Sequence, residues 1–190
     1  MNNNYTDIEL VRLSIEDNQN FSLIIDKYEQ KLFRYIMRLG DFHIEEAEDI
    51  LQEIFIKVYI YLNEFDPSLS FSSWVYRITH NYIIDYFRHK NTRSIVSLND
   101  DEYVYLYETL KSEEDIHFDL KEKDMQITVK NAIRKLPQDV YELIILRYIE
   151  DKSYEEISDI LRIPIPTVWT LLHRAKKKLE WELQPISYHL

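Results

Sequence analysis

Apolar residues recur along this chain at three- and four-residue steps, and no stretch of period-two alternation competes with that pattern, so helices are expected almost throughout. Thr6 and Glu9 are spaced as a capping box ahead of Ile8, Val11, Leu13 and Ile15. A second helix carries Phe21, Ile24, Ile25, Tyr28, Leu32, Tyr35, Ile36 and Leu39 and stops at Gly40, which reads as a C-cap. A third is predicted from about Ile44 to Leu62 with Ile50, Leu51, Ile54, Val58 and Leu62 inside, and a fourth from about Ser72 to Lys90.

The C-terminal third has a tighter pattern. After Pro137 a helix carries Val140, Leu143, Ile144 and Tyr148, and Ser153 with Glu156 opens a short second helix, roughly Tyr154 to Leu161, with another capping box. A third helix starts around Pro164 and Pro166, which fit a first turn because backbone N–H groups there lack intrahelical partners. Val168, Leu172, Ala175 and Leu179 share one narrow face, leaving Thr170, His173, Arg174 and Lys177 on the other. Two helices joined by so short a turn, the second with a free polar face, form the pattern of a DNA-reading helix-turn-helix.

Charge sharpens this picture. The 190 residues carry a net charge of -11, yet from Ile160 to Leu179 the charged residues are Arg162, Arg174, Lys176, Lys177 and Lys178, with no acid among them. Local basicity in an acidic chain favours a polyanion as partner. The acidity gathers in residues 94–124, where three Lys+Arg face ten Asp+Glu and no helical period is sustained until near the end. That segment reads as an acidic linker. The expected fold is therefore all-α: an N-terminal helical bundle in residues 1–93, the linker in 94–124, and a helix-turn-helix domain in 125–190.

Composition removes several function classes. With no cysteine there is neither disulfide nor thiolate metal site, and a single glycine, Gly40, leaves no Gly-rich phosphate loop, dinucleotide fingerprint or nucleophile elbow. Only one Glu-x-x-His occurs, Glu114 with His117, where a di-metal carboxylate bundle needs two. No catalytic residue, metal or cofactor is assigned. No apolar run approaches about 18 residues and no signal-peptide pattern opens the sequence, so a cytoplasmic protein without direct membrane insertion is expected.

Two blocks carry a family resemblance. The first holds Ala47-Glu48-Asp49, Gln52-Glu53, Phe55, Phe71-Ser72-Ser73-Trp74, Tyr76-Arg77-Ile78, Asn81 and Asp85. The second holds Leu136-Pro137, Leu146-Arg147-Tyr148, Ser153-Tyr154-Glu155-Glu156-Ile157, Ile163-Pro164, Thr167-Val168 and His173-Arg174-Ala175. In this order and at this separation the chain resembles a bacterial RNA polymerase sigma factor of the extracytoplasmic-function group of the sigma-70 family.

The resemblance implies roles residue by residue. Asp49, Gln52 and Glu53 would dock on a basic coiled coil of the largest polymerase subunit. Phe71, Trp74, Arg77, Asn81 and Arg88, with the loop from Asp66 to Ser72, would hold one strand of the minus-10 element, since unstacked bases need flat surfaces and hydrogen-bonding groups while phosphates need cations. Trp74 at helical spacing with Val75, Ile78 and Tyr82 also reads as core. Thr167, Trp169, Thr170, His173, Arg174 and Lys177 would face the minus-35 duplex. Trp169 and Leu171 stand where relatives commonly place basic residues, leaving open whether they meet DNA or protein, and Arg162 replaces a frequent glycine.

The function so implied is a non-catalytic one: binding core RNA polymerase, directing it to promoter DNA, and helping to melt that DNA, with an anti-sigma factor as a further partner. The alternatives are a helix-turn-helix regulator acting on duplex DNA without polymerase, and an acidic protein that sequesters a basic partner. Residues 47–90 discriminate, because only the first reading needs them.

Overall fold

The computed structural model describes residues 5–90, 131–133 and 135–183, with isolated positions 102, 105, 106 and 109. The expected linker, 94–124, lies outside the described residues apart from those four positions. Contacts divide the chain into two compact units, with the main break between Ile95 and Val96. All regular structure among the described residues is helical, as expected for the all-α class, and no helix there is long and apolar enough to cross a membrane.

The first unit contains α1 (Asp7–Glu16), α2 (Phe21–Leu39), α3 (Ile44–Tyr61) and α4 (Phe71–Lys90). Helix α2 is the pivot, packing on each of the other three. Its stripe of Ile24, Tyr28, Leu32, Tyr35 and Ile36 is almost fully buried, which is why a sequence with one strong apolar face becomes the centre of the bundle. The α1 capping box forms: the Thr6 N–H donates to the Glu9 carboxylate at 2.7 Å and the Glu9 N–H to the Thr6 hydroxyl at 3.3 Å. Of the apolar residues singled out on α1, Val11 turns inward and Ile15 does not. Leu10, Val11 and Ser14 are buried, the Ser14 hydroxyl donating to the Leu10 carbonyl, while Ile15 is exposed.

Gly40 follows α2 but is no left-handed cap, its φ of -160° being ordinary extended backbone. What the position requires is space. A Cβ there would stand 2.5–2.8 Å from the rings of Phe42 and Phe87, which stack on each other with centroids 5.3 Å apart.

In the second unit, α5 (Gln138–Ile144) begins after Leu136-Pro137 and runs into a π-helical turn, Ile145–Ile149. The extra residue in that turn advances the buried face, so Leu143, Ile144, Ile145 and Leu146 are all enclosed, where a regular period would send some of them outward. Asp151 then adopts φ 51°, and the Arg147 guanidinium closes the bend by donating to the Lys152 carbonyl at 3.1 Å and lying over the Tyr154 ring. Helix α6 (Tyr154–Leu161) opens on the predicted capping box between Ser153 and Glu156, at 2.9 and 3.1 Å. Helix α7 (Ile165–Leu183) starts with Pro164 presenting its carbonyl to the N–H groups of Thr167 and Val168.

Candidate nucleic-acid and partner interfaces

The outward ridge of α3 comes from its sequence: Ala47, Ile50, Leu51, Ile54, Phe55 and Val58 turn inward, so Glu45, Glu48, Asp49, Gln52 and Glu53 stay in solvent. Glu45 and Glu46 lie in the first turn, where the helix dipole favours acid. Asp49 and Glu53 border a cleft of about 500 Å³ toward α4, with His43, Glu46, Tyr82 and Lys90 on its walls. Gln52 borders a groove of about 490 Å³ between α2 and α3 formed by Phe21, Ile25, Leu51, Phe55, Ile56 and Tyr59. The acidic ridge thus continues directly into apolar surface. Ile56, Tyr59 and Ile60 are 51%, 43% and 60% exposed. The sequence reading did not single these out; the signal available was that they fall off the Ile50, Ile54, Val58 stripe while remaining large and apolar.

The cleft is braced at one end. Glu46 accepts hydrogen bonds from the Tyr86 hydroxyl and the Lys90 ammonium, and Lys90 also lies over the Tyr86 ring at 4.6 Å from its centroid. Lys90, followed by Tyr86, holds the Glu46 carboxyl below the usual carboxylate range, and burial followed by the Glu46 hydrogen bond raises the Tyr86 phenol. This contact ties the last turn of α4 to the first turn of α3.

Between α3 and α4 the chain turns through the 3-10 segment Leu62–Glu64 and an exposed loop. Asp66 organises the loop by accepting from the Ser68 N–H at 2.9 Å, and that bond holds its carboxyl below the ordinary value. Ser70 caps α4, its hydroxyl accepting from the Ser73 N–H and its carbonyl from the Trp74 N–H. Beneath, Phe65, Phe71 and Trp74 form a ring cluster with centroids 5.1–5.6 Å apart, and Tyr28 meets Phe71 edge-on at 5.7 Å.

That cluster corrects one expectation. Phe71 is 1% and Trp74 8% exposed, so neither offers a free face to a base; they are core residues that, with Phe65 at the other end, pin the loop. Offset and edge-on ring pairs of this kind are worth about 0.5–1.5 kcal/mol each beyond the area they bury. The flat surface open to solvent beside Asn81 comes from other residues. Lys57, Tyr61, Asn81, Tyr82, Asp85 and His89 line a cleft of about 550 Å³, with the Lys57 ammonium 5.8 Å from the Tyr82 ring centroid. Asn81 is exposed, Arg77 is half-buried, and the exposed Arg88 is paired with Asp85 at 2.8 Å.

The turn between α6 and α7 is three residues long, and Arg162 enters it at φ 57°, a left-handed conformation costing a non-glycine residue about 1–2 kcal/mol. The Ser158 hydroxyl secures the turn by donating to the Ile163 carbonyl at 2.6 Å. On α7 the predicted stripe is buried: Val168, Leu172, Ala175 and Leu179 are each 2% exposed or less. Thr167, Trp169, His173, Arg174 and Lys177 are exposed. The Thr170 hydroxyl donates to the Pro166 carbonyl at 2.7 Å, so toward a ligand it is left as an acceptor. Lys176 is nearly buried and Lys178 donates to the Lys135 carbonyl at 3.1 Å, which removes both from the free basic face.

Comparison with known proteins matches both units. Residues 24–93 match the family described as Sigma-70 region 2, and residues 127–179 the family described as Sigma-70, region 4. The chain is 34% identical to the ECF RNA polymerase sigma factor SigW of Bacillus subtilis over 90% of this chain and 92% of that protein. It is 32% identical to the RNA polymerase sigma-H factor of Pseudomonas aeruginosa over 92% of each. Among solved structures, CnrH in complex with the cytosolic domain of CnrY shares the fold at a TM-score of 0.65 and 22% identity, over 92% of this chain and 95% of that one. The sigma factor RpoE of Bartonella quintana, in complex with the anti-sigma factor NepR, shares it at 0.60 and 19%, over 87% and 97%.

Proposed function

Because the chain belongs to the extracytoplasmic-function group of the sigma-70 family, and so is a sigma factor that binds core RNA polymerase and directs promoter-specific initiation, we propose that its functions divide between the two units along the surfaces just described. The α3 ridge of Asp49, Gln52 and Glu53, with the apolar groove beside it, docks on polymerase. An acidic rim steers encounter with a basic partner, while the adjoining apolar residues supply the desolvated area that makes the contact last. The observation that carries this reading is the continuity of acid and apolar surface on one exposed helix face.

The cleft beside Asn81 holds bases of the melted minus-10 strand. Tyr61 and Tyr82 provide faces for unstacked bases, Asn81 can donate to and accept from a base edge, and Lys57 can neutralise a phosphate, with the half-buried Arg77 one turn before Asn81 on α4 as a further cation outside the cleft lining. Phe71 and Trp74 support the Asp66–Ser72 loop from below and do not touch DNA. Arg88 contributes once Asp85 releases it. In the second unit, α7 enters the major groove of the minus-35 duplex with Trp169, Thr170, His173, Arg174 and Lys177 outward, and Thr167 meets the backbone near the helix start. Residues 94–124 connect the two. This work takes place in the cytoplasm and calls on no catalytic group.

An anti-sigma partner belongs to the same reading, supported by the fold neighbour in complex with NepR; the α2–α3 groove is where an apolar segment of it would seat. The alternative of a regulator working without polymerase is not favoured, since it gives residues 24–93 no role.

Site-specific photocrosslinking tests the division. With p-benzoylphenylalanine at position 61 or 170, the holoenzyme on a promoter fragment is expected to crosslink one melted strand from position 61 and upstream duplex from position 170. Crosslinks from both positions to the same stretch of DNA would overturn it.

A further inference from the structure

Trp169 is 54% exposed on a helix whose opposite face is closed, and it does not stand alone. Its ring lies parallel to that of His173, with centroids 5.2 Å apart and 5° between planes. The four-residue spacing puts the two rings one turn apart on the same side of α7, so one face of the indole is covered and its other face and edge project outward. Leu171, the second residue standing where a cation was expected, is only half-exposed. Of the two, Trp169 alone is placed to meet a ligand.

The surroundings decide what ligand that is. Arg174 and Lys177 are exposed on the same helix, and no acid occurs between Ile160 and Leu179. An apolar plate among cations suits a groove with phosphate walls better than the apolar face of another protein. Within the major groove nearly every base-edge feature is a hydrogen-bond donor or acceptor, and the exception is the C5-methyl group of thymine. An indole stacked on an imidazole cannot make the bidentate contact by which a guanidinium selects guanine; it can enclose a methyl group.

We propose that the stacked Trp169–His173 pair is the specificity-determining element of the minus-35 interface and reads the 5-methyl group of thymine. This rests on the placement of α7 in the upstream duplex given above. His173 is the positioning member, holding the indole at the angle needed, and Trp169 makes the contact.

The test uses holoenzyme assembled from the full chain and purified core polymerase, on duplexes selected from a library randomised upstream and fixed downstream. In the selected duplex each upstream thymine is then replaced singly by uracil, which removes only the methyl group. For wild type, at least one replacement is expected to weaken binding about fourfold, the worth of one buried methyl. In Trp169→Ala that replacement should cost nothing, while His173→Phe, which keeps a ring to stack on, should retain most of the discrimination. Indifference of wild type to every uracil, or an equal loss in wild type and Trp169→Ala, would overturn the proposal while leaving the minus-35 placement intact. If selection yields no upstream preference at all, the placement itself fails, and the proposal with it.

Discussion

Reversing charge on the α3 ridge, Asp49→Arg together with Glu53→Lys, is expected to lower affinity for core RNA polymerase by more than about 100-fold. Both side chains are exposed and make no described contact that the fold depends on, so the substitutions should change stability by no more than about 0.5–1 kcal/mol. Against a basic docking surface, however, two attractive rim charges become repulsive ones, and like-charge juxtaposition costs several kcal/mol. The loss should shrink as salt is raised, because solvent-accessible charges are screened beyond about 10 Å at 0.1 M. Titration of labelled variant into core enzyme, beside a thermal melt of the variant alone, measures both. Full binding with an unchanged melt would mean that polymerase docks elsewhere.

Asn81→Ala carries the second large effect. The exposed Asn81 lines the α3–α4 cleft, and removing its amide deprives a captured base or backbone group of a hydrogen-bond partner. Open-complex formation is expected to fall about 10- to 30-fold, with upstream duplex binding by the holoenzyme unchanged. Permanganate reactivity of unpaired thymines reports the first and footprinting the second. Equal melting in variant and wild type would remove Asn81 from the single-strand site.

How much of this was legible beforehand differs from element to element. The two capping boxes, Thr6 with Glu9 and Ser153 with Glu156, are local hydrogen-bond geometries between residues three apart, so spacing alone located them. The α7 stripe was equally clear because a long regular helix preserves its angular period. Where the period breaks, the reading is incomplete. The π turn at Ile145–Ile149 encloses Ile145 and Leu146 beside the expected Leu143, Ile144 and Tyr148, and nothing in Ile-Leu-Arg-Tyr-Ile announces it.

Side-chain partners across the bundle were hidden for a different reason. Aromatic residues near the expected single-strand site looked suited to stacking on bases, but Phe71 and Trp74 stack on each other and pack against Phe65, and which aromatics remain free depends on tertiary packing. Tyr61 and Lys57 on α3 become neighbours of Asn81 on α4 only through the turn between those helices. Gly40 was read as a conformational device and is a steric one, since the rings that crowd it come from Phe42 and from Phe87 on α4. The α2–α3 groove escaped notice because Ile56 and Tyr59 resemble core residues until their exposure is seen. The motifs therefore named the surfaces, and packing decided which atoms on them are available.

Run-off transcription decides whether this chain confers promoter selection on RNA polymerase. Purified core enzyme is mixed with genomic fragments, with and without the chain, and the transcripts are mapped. Discrete transcripts are expected that appear only when the chain is present, start at a fixed distance downstream of a shared pair of sequence elements, and disappear with the Asp49→Arg, Glu53→Lys variant. Transcripts identical with and without the chain, although the chain still bound duplex DNA by itself, would contradict that role.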